Sequence, residues 1–501
     1  MELTRAAFEP MLDTTCQSVL EFLFDRNSTL YYSNSSTKEQ QSDSELIMPE
    51  QPANQPLSEL LDEILRAAES RRNPRHPGFM CLMPNGGLLH SVLSDIVSQC
   101  TNKYTGYYMG APELVNLECR VIRWLCSIFG LDLDSGAFGI LTSGGTASNL
   151  SAVCMARDKL LQPNTFHLGC VYWTKQAHFS CIKSCRLAGV AQNVRLIPYK
   201  PAYSNEAFTI DLEQLEKQIL DDRGSNLYPF LIVANAGSVD TGTIDDIQGL
   251  SVLAKKYQLW LHADGAYGAW FAMVDTAPKR LKSLNLCDSI SADLHKSFFL
   301  PYGTGFLAVK QKENLSKTFG HDHADYLSHE SSDINFAELT LEQTREMRGL
   351  RVWLPLKLLG SHSFASCLKE KLDLTQYLHG ELERIPGIII ISKPVLSILT
   401  FRHIPKTLKH LFEKEPRILQ NADVESELLA HNTRLISSIN SRGRVLLQST
   451  KLYLSHDDPQ PAMVIRIIIL SYLTHRTQVD HCINDIKESC MESGSQTLPF
   501  M

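Results

Sequence analysis

Phe8, Met11, Leu12, Val19, Leu20, Phe22 and Leu23 recur at the spacing of one helix face, so residues 5–24 are predicted to form an amphipathic helix. From Asn27 to Pro56 the pattern dissolves into Ser, Gln, Asn and Glu with few aliphatics, which predicts a mobile surface loop. Leu57–Ser70 restores the helical period and Asn73-Pro74 ends it. Two such helices with a polar joint cannot bury their apolar faces on each other alone. Residues 1–75 therefore read as an arm, with its polar loop at 27–56, that needs another surface such as a partner subunit.

From residue 76 to 360 short apolar runs alternate with helical stretches. Ala137–Leu141, Gly169–Trp173, Phe230–Ala234, Leu259–Ala263 and Ser289–Ala292 are predicted strands, and Ala147–Leu161 a helix. Four- or five-residue apolar strands separated by helices indicate a mostly parallel sheet covered on both faces, hence an α/β domain. Leu350–Leu359 begins a long helix. Over 361–501 the texture becomes α+β. Gly387–Ile391 and Val395–Phe401 read as paired strands, Ile418–Ser441 contains a helix, Arg444–Gln448 and Met463–Ile469 are strands, and Val479–Met491 is a closing helix. These make a smaller second domain.

Composition narrows the function classes. With 48 Lys plus Arg against 55 Asp plus Glu, the formal net charge is -7, so the chain as a whole does not attract nucleic acid or anionic membrane. Its 13 cysteines are scattered among apolar neighbours without a CxxC pair, which fits reduced thiols in a cytoplasmic protein. The N-terminus lacks the apolar stretch of a secretory signal, and the most apolar segments are too short or interrupted to span a bilayer. His321-Asp322-His323 has no third ligand at suitable spacing, so no metal site is expected.

In an open parallel sheet, ligands bind beyond the carboxyl ends of the strands. After the first strand comes Ser143-Gly144-Gly145-Thr146, opening a helix: two glycines admit an anion to the free N–H groups of the helix end, although a plain tight turn has the same composition. His178 follows the second strand, and a lone histidine is more often structural. After the fourth strand, Asp264 is followed by the small residues Gly265 and Ala266, which leave room for a flat group; a helix cap is the plainer reading of that aspartate. After the fifth strand comes Lys296, which is either a nucleophile activated by desolvation or a lysine reaching solvent. Together, a phosphate cradle, a histidine, a buried carboxylate and a lysine, in that order, describe a pyridoxal phosphate site.

The segments SGGTASN (143–149), QAHFS (176–180), GSVDTGTIDDI (237–247), HADGAYG (262–268) and SADLHK (291–296) resemble those of the group II pyridoxal phosphate-dependent amino-acid decarboxylases. HPGF (76–79), APELVNLE (111–118) and TREMRGLRVWLPLKLLG (344–360) extend the likeness over roughly residues 57–485. The resemblance implies a type I aminotransferase-like fold and a homodimer with an exchanged N-terminal arm. It implies Lys296 as the Schiff-base lysine, Asp264 as partner of the pyridine nitrogen and His178 as the residue stacked on the ring. Ala266 would pack on the other ring face, and Gly144, Gly145, Thr146 and His295 would surround the phosphate.

Two departures from the family pattern matter. Asp293-Leu294 precedes the His-Lys pair where Asn-Pro or Asp-Pro is frequent. Relatives carry a proton-donating Tyr on a mobile loop, whereas residues 328–344 contain no Tyr and Phe336 is their one aromatic. That loop is expected to act as a lid, with His178 as the alternative proton source. A Phe at the donor's place is associated in the family with oxygen-dependent aldehyde formation. Phe79–Asn85 is expected to line the side-chain pocket, with Leu82 and Met83 apolar, and Tyr104–Met109 to contribute from the partner. Arg402 or Arg466 could face the substrate carboxylate. The reading is decarboxylation of an aromatic or apolar L-amino acid to its amine. The alternatives are an aldehyde product, an acidic substrate, or an inactive scaffold relative, the last opposed by the retained Lys296, Asp264 and His178.

Overall fold

The computed structural model describes residues 4–26, 52, 54–69, 72–83, 86–320, 334–408 and 422–493. The polar loop expected at 27–56 and the His321-Asp322-His323 segment fall largely or wholly outside these residues. Helix α1 (Arg5–Glu21), continued by a π turn at Phe22–Arg26, and α2 (Leu57–Ala68) sit where the apolar period placed them, and neither carries a fully buried residue.

Two helices, α3 (Leu89–Thr101) and α4 (Pro112–Ile128), precede the main sheet. Its strands are β1 (Phe138–Thr142), β2 (Gly169–Trp173), β3 (Asn193–Leu196), β4 (Tyr228–Asn235), β5 (Trp260–Asp264), β6 (Ser289–Asp293) and β7 (Gly305–Val309), in the spatial order β1-β7-β6-β5-β4-β2-β3. Strands β1, β2, β5, β6 and β7 are buried at every position, which is why they carry no polar-apolar alternation. Helix α5 (Gly145–Leu160) packs on β4, β5, β6 and β7, while α6 (Phe179–Leu187) packs on α5.

The sequence missed two strands. Edge strand β3, with Asn193 and Arg195, is only half buried and lacks the apolar signature. Strand β7 runs antiparallel to β1 and β6. Residues 294–304, which link β6 to β7, are too few for the helical crossover that a parallel partner requires, so the chain turns straight back.

Helices α7 (Leu212–Gly224), α8 (Ile247–Tyr257) and α9 (Glu313–Phe319) complete this part, and α10 (Arg348–Leu382) leads out of it. Helix α10 breaks at Gly360, whose φ of 73° is left-handed. Before the break Val352 packs in the main core; Leu374, Leu378 and Leu382 belong to a second core. That core lies under an antiparallel sheet ordered β10-β11-β9-β8, built from β8 (Ile388–Ser392), β9 (Ile398–His403), β10 (Gln448–Leu452) and β11 (Ala462–Ile468). Helices α11 (Ala422–Ser441) and α12 (Arg476–Ser493) pack with it. The expected strand at Arg444–Gln448 is displaced to β10, because Leu446 instead bridges to Phe79 and ties the segment before α3 to this sheet.

Glu118 on α4 and Arg345 just before α10 form an ion pair at 2.6 Å with both side chains fully buried, and the guanidinium lies 4.7 Å over the Phe336 ring. Removing one member strands the other charge in the core, which costs about 3–5 kcal/mol. Arg345→Met is therefore expected to lower unfolding stability by about that amount in urea.

Candidate active site

The turn between β1 and α5 is shaped by steric necessity. Gly144 has φ 152°, a value L side chains rarely adopt, and a Cβ on it would lie 3.1 Å from Cε1 of His295. A Cβ on Gly145 would lie 2.9 Å from Oδ2 of Asp293 and 3.2 Å from Cβ of Ala266. Gly305, opening β7, abuts Gly144 so closely that its own Cβ would fall 2.5 Å from the Gly144 Cα. No side chain caps the first turn of α5, leaving a helix N-terminus with its positive dipole end beside Thr146.

Lys296 follows β6 in a turn rather than on the strand, and its Nζ lies 2.9 Å from Oδ2 of Asp293. The backbone N–H of Thr304 donates to Nδ1 of His295 at 3.3 Å, and His295 Nε2 is 3.6 Å from the same Asp293 oxygen. Burial lowers the His295 pKa, with Asp293 opposing and Lys296 adding to the shift. Oδ1 of Asp293 is buried without a hydrogen-bond partner.

Asp264 closes β5, and no helix follows it; the next short turn of helix, Ala269–Met273, begins at Gly268. The cap reading is thus excluded. Its carboxylate instead accepts from Asn149 Nδ2 at 3.0 Å, from the Ala266 N–H at 3.2 Å, from Ser291 Oγ at 3.2 Å and from Cys181 Sγ at 3.7 Å. Burial works against its charge, yet His262, Lys296, His178 and the Ala266 amide together hold its pKa below the usual carboxylate value. Behind it, burial pushes His262 down to about 4, so this histidine is neutral.

His178 is the N-cap of α6 and accepts from the Ser180 N–H. Burial lowers its pKa; Asp264, Asp293 and Asp240 oppose this and Lys296 reinforces it.

One cavity of about 450 Å³ gathers these groups. Gly144, Gly145, Thr146, His178, Asp264, Ala266, His295 and Lys296, all expected from the sequence, line it. Met83 lines it as well, but Leu82 does not: it packs against the small core of Phe79, Cys81 and Leu446. Asn149, Ser180, Ser238, Val239 and Tyr302 also face the cavity and had no role assigned; the first four lie inside the quoted motifs, where only their neighbours drew attention.

The lid expectation for residues 328–344 is corrected only at Phe336. Residues 328–333 lie outside the described chain, whereas Phe336 is fully buried in a short helical turn, Phe336–Glu338, under Arg345. An interior ring held by a buried guanidinium cannot swing over the cavity, so Phe336 gives no support to the aldehyde alternative. Arg402 is committed to Glu425 at 2.7 Å, and Arg466 to Asp240 at 3.3 Å and to the carbonyls of Val239 and Cys81. Tyr104, expected near a partner's site, donates its hydroxyl to the Gln343 carbonyl of its own chain at 3.0 Å.

The family model of the pyridoxal-dependent decarboxylase conserved domain matches residues 43–404. A Bacillus atrophaeus aromatic-L-amino-acid decarboxylase is 29% identical over 383 residues, 75% of each chain. A structure of Oryza sativa TDC with PLP and tryptamine superposes with a TM-score of 0.86 at 18% identity, covering 98% of this chain and 99% of that one. Mouse CSAD superposes with a TM-score of 0.84 at 18% identity, covering 97% and 99%. The observed geometry suits the cofactor: two glycines leave a cradle that side chains would fill, at the N-terminus of a helix, with a lysine and an ionised buried carboxylate in the same cavity. The chain therefore belongs to the pyridoxal-dependent decarboxylase family and is a pyridoxal phosphate-dependent amino-acid decarboxylase.

Proposed function

We propose that this enzyme removes carbon dioxide from an aromatic L-amino acid and releases the amine, working as a homodimer in the cytoplasm. The observation that carries the substrate class is the charge of the cavity. Among the described residues lining it, Lys296 is the one Lys or Arg, and it is paired with Asp293. Arg402 and Arg466 are turned to other partners, so an acidic side chain would meet no counter-charge. Met83 offers a polarisable surface to a flat ring. The aromatic substrate named for the Bacillus atrophaeus relative agrees with this choice.

Bound pyridoxal phosphate supplies an electron-poor ring that takes up the electron pair left when carbon dioxide departs. The chain's residues divide the remaining work. Gly144, Gly145, Thr146 and His295 hold the phosphate. Lys296 would tether the cofactor, and Asp293, 2.9 Å from its amine, would steady that amine when it is free. Asp264, kept ionised by its donors, would hold the ring nitrogen and favour a proton on it. His178 and Ala266 flank the ring.

The dimer is supported by apolar surface that a lone chain leaves in water. Val92, Leu93, Ile96 and Val97 of α3 are exposed, as are Met109 and Trp124, and Phe8, Met11, Leu12, Val19 and Leu20 of α1. Such a concentration of apolar side chains marks an interface. The free state of all thirteen cysteines agrees with a reducing compartment, and no described helix is long and apolar enough to cross a membrane.

The purified enzyme is expected to be yellow, and Lys296→Ala to lose both the visible absorbance and turnover; unchanged activity would refute the assignment of the lysine. Asp264→Asn is expected to retain cofactor while kcat falls by about 10²–10³-fold, the scale of one lost electrostatic contact in a preorganised site. A chain lacking residues 1–75 is expected to be insoluble or inactive, and an active monomer by light scattering would exclude the exchanged arm.

A further inference from the structure

The hydrogen bonds around the cavity have a direction that chemistry leaves no freedom to reverse. The Asp264 carboxylate only accepts, so the Asn149 atom at 3.0 Å from it is Nδ2, a donor. The same Nδ2 is 2.9 Å from Ser180 Oγ, which therefore accepts from it. Asn149 Oδ1 faces Nε2 of His262 at 3.0 Å and must receive a proton from it. His262 Nδ1 then accepts from Ser289 Oγ at 2.8 Å, whose oxygen is occupied by the Trp260 indole N–H at 2.8 Å. Trp260, Ser289, His262 and Asn149 thus form a one-way chain of donors ending on Asp264 and Ser180. Asn149, Ser180, His262 and Ser289 are each almost fully buried, so no competing water resets the order.

Beyond Ser180 the chain reaches His178. The Ser180 hydroxyl is 2.8 Å from His178 Nδ1, and the Ser180 backbone N–H donates to the same nitrogen at 3.2 Å. A backbone amide cannot become an acceptor. A proton on Nδ1 would point at that N–H and at the N-terminal end of α6, where the helix dipole already disfavours positive charge. The charged groups that act on His178 are Asp264 on β5, Asp293 and Lys296 at the end of β6, and Asp240 in the loop after β4; the Phe179 ring stands 4.1 Å away.

We propose that Ser180, directed by Asn149, is a positioning residue that locks His178 as a neutral imidazole with its proton on Nε2. This rests on the reading of His178 as the residue flanking the cofactor and adds its protonation state. A neutral imidazole is a good hydrogen-bond donor and a poor acid. His178 then orients what enters the cavity and does not supply the proton that replaces carbon dioxide. The sequence had left His178 open as that proton source, and the cap of α6 closes that option.

The test is nitrogen-15 NMR on the full-length protein labelled at histidine, with and without pyridoxal phosphate, the His178 signals being assigned by their loss in His178→Gln. At pH 6.5, where an unperturbed histidine is about half protonated, His178 is expected to be predominantly neutral and protonated at Nε2. A proton on Nδ1, or a half-populated imidazolium, overturns the lock. Ser180→Ala removes the hydroxyl and keeps the amide. It is expected to raise the His178 titration midpoint and to shift the acid limb of kcat in the same direction, and Ser180→Thr, which restores the hydroxyl, to bring both back, a rescue that general loosening of the fold would not produce. A midpoint unchanged in Ser180→Ala overturns the role of Ser180. The cofactor-free spectra are independent of turnover and of the behaviour of Lys296→Ala, so failure here is distinguishable from failure of the proposed function.

Discussion

A carboxylate buried at the end of a central strand needs compensation, and Asp264 receives it from three donors on other segments of the chain and from the Ala266 amide of its own turn. Burial alone would neutralise it; surrounding donors and charges keep it ionised instead. That single requirement explains why Asn149 on α5, Cys181 on α6, the Ala266 amide and Ser291 on β6 converge on one point. The sheet places Asp264 and Ser291 side by side in register, and α5 lies across the strands that carry them. The cavity is built outward from this carboxylate.

Close backbone approach sets the opposite wall. Gly144, Gly145 and Gly305 stand where any side chain would collide with His295, Asp293 or the neighbouring backbone. The reversed direction of β7 is what brings Gly305 to this spot, since its first residue pairs with Thr142 at the end of β1. An edge-like antiparallel turn inside an otherwise parallel sheet thus helps to form this wall of the cavity. At its base Asp293 keeps Oδ1 unpartnered and turns Oδ2 to Lys296 and His295, so the anionic and cationic groups of the site sit within one turn of chain.

The second core is tied to this site by a backbone bridge and by one arginine. Phe79 bridges to Leu446, and Arg466 on β11 grips the carbonyls of Val239 and Cys81 beside the cavity. The arginines that look available for substrate in the sequence are consumed elsewhere: Arg466 in joining the two sheets, Arg402 in an ion pair with Glu425 on α11. Their commitment leaves the cavity with little positive charge and thereby favours an uncharged side chain in the substrate.

Much was legible without coordinates because buried parallel strands are short apolar runs and because the residues that line the cavity sit at their carboxyl ends. Gly144, Gly145, His178, Asp264 and Lys296 could be placed from that rule and from the order of their motifs. The strand β3 escaped because an edge strand needs no apolar signature, and β7 because its direction is decided by the length of residues 294–304. The sequence could not tell that Leu82 packs inward while Met83 faces the cavity, since adjacent apolar residues look alike until the chain has a direction. Nor could it tell that Phe336 is interior, because loop composition says nothing about an arginine arriving from elsewhere to cover a ring. The residue types that perform the chemistry were determined by the sequence itself. Their ionisation, tautomer and partners were decided only by the tertiary structure, because those properties depend on which donors and charges the fold brings within hydrogen-bonding distance.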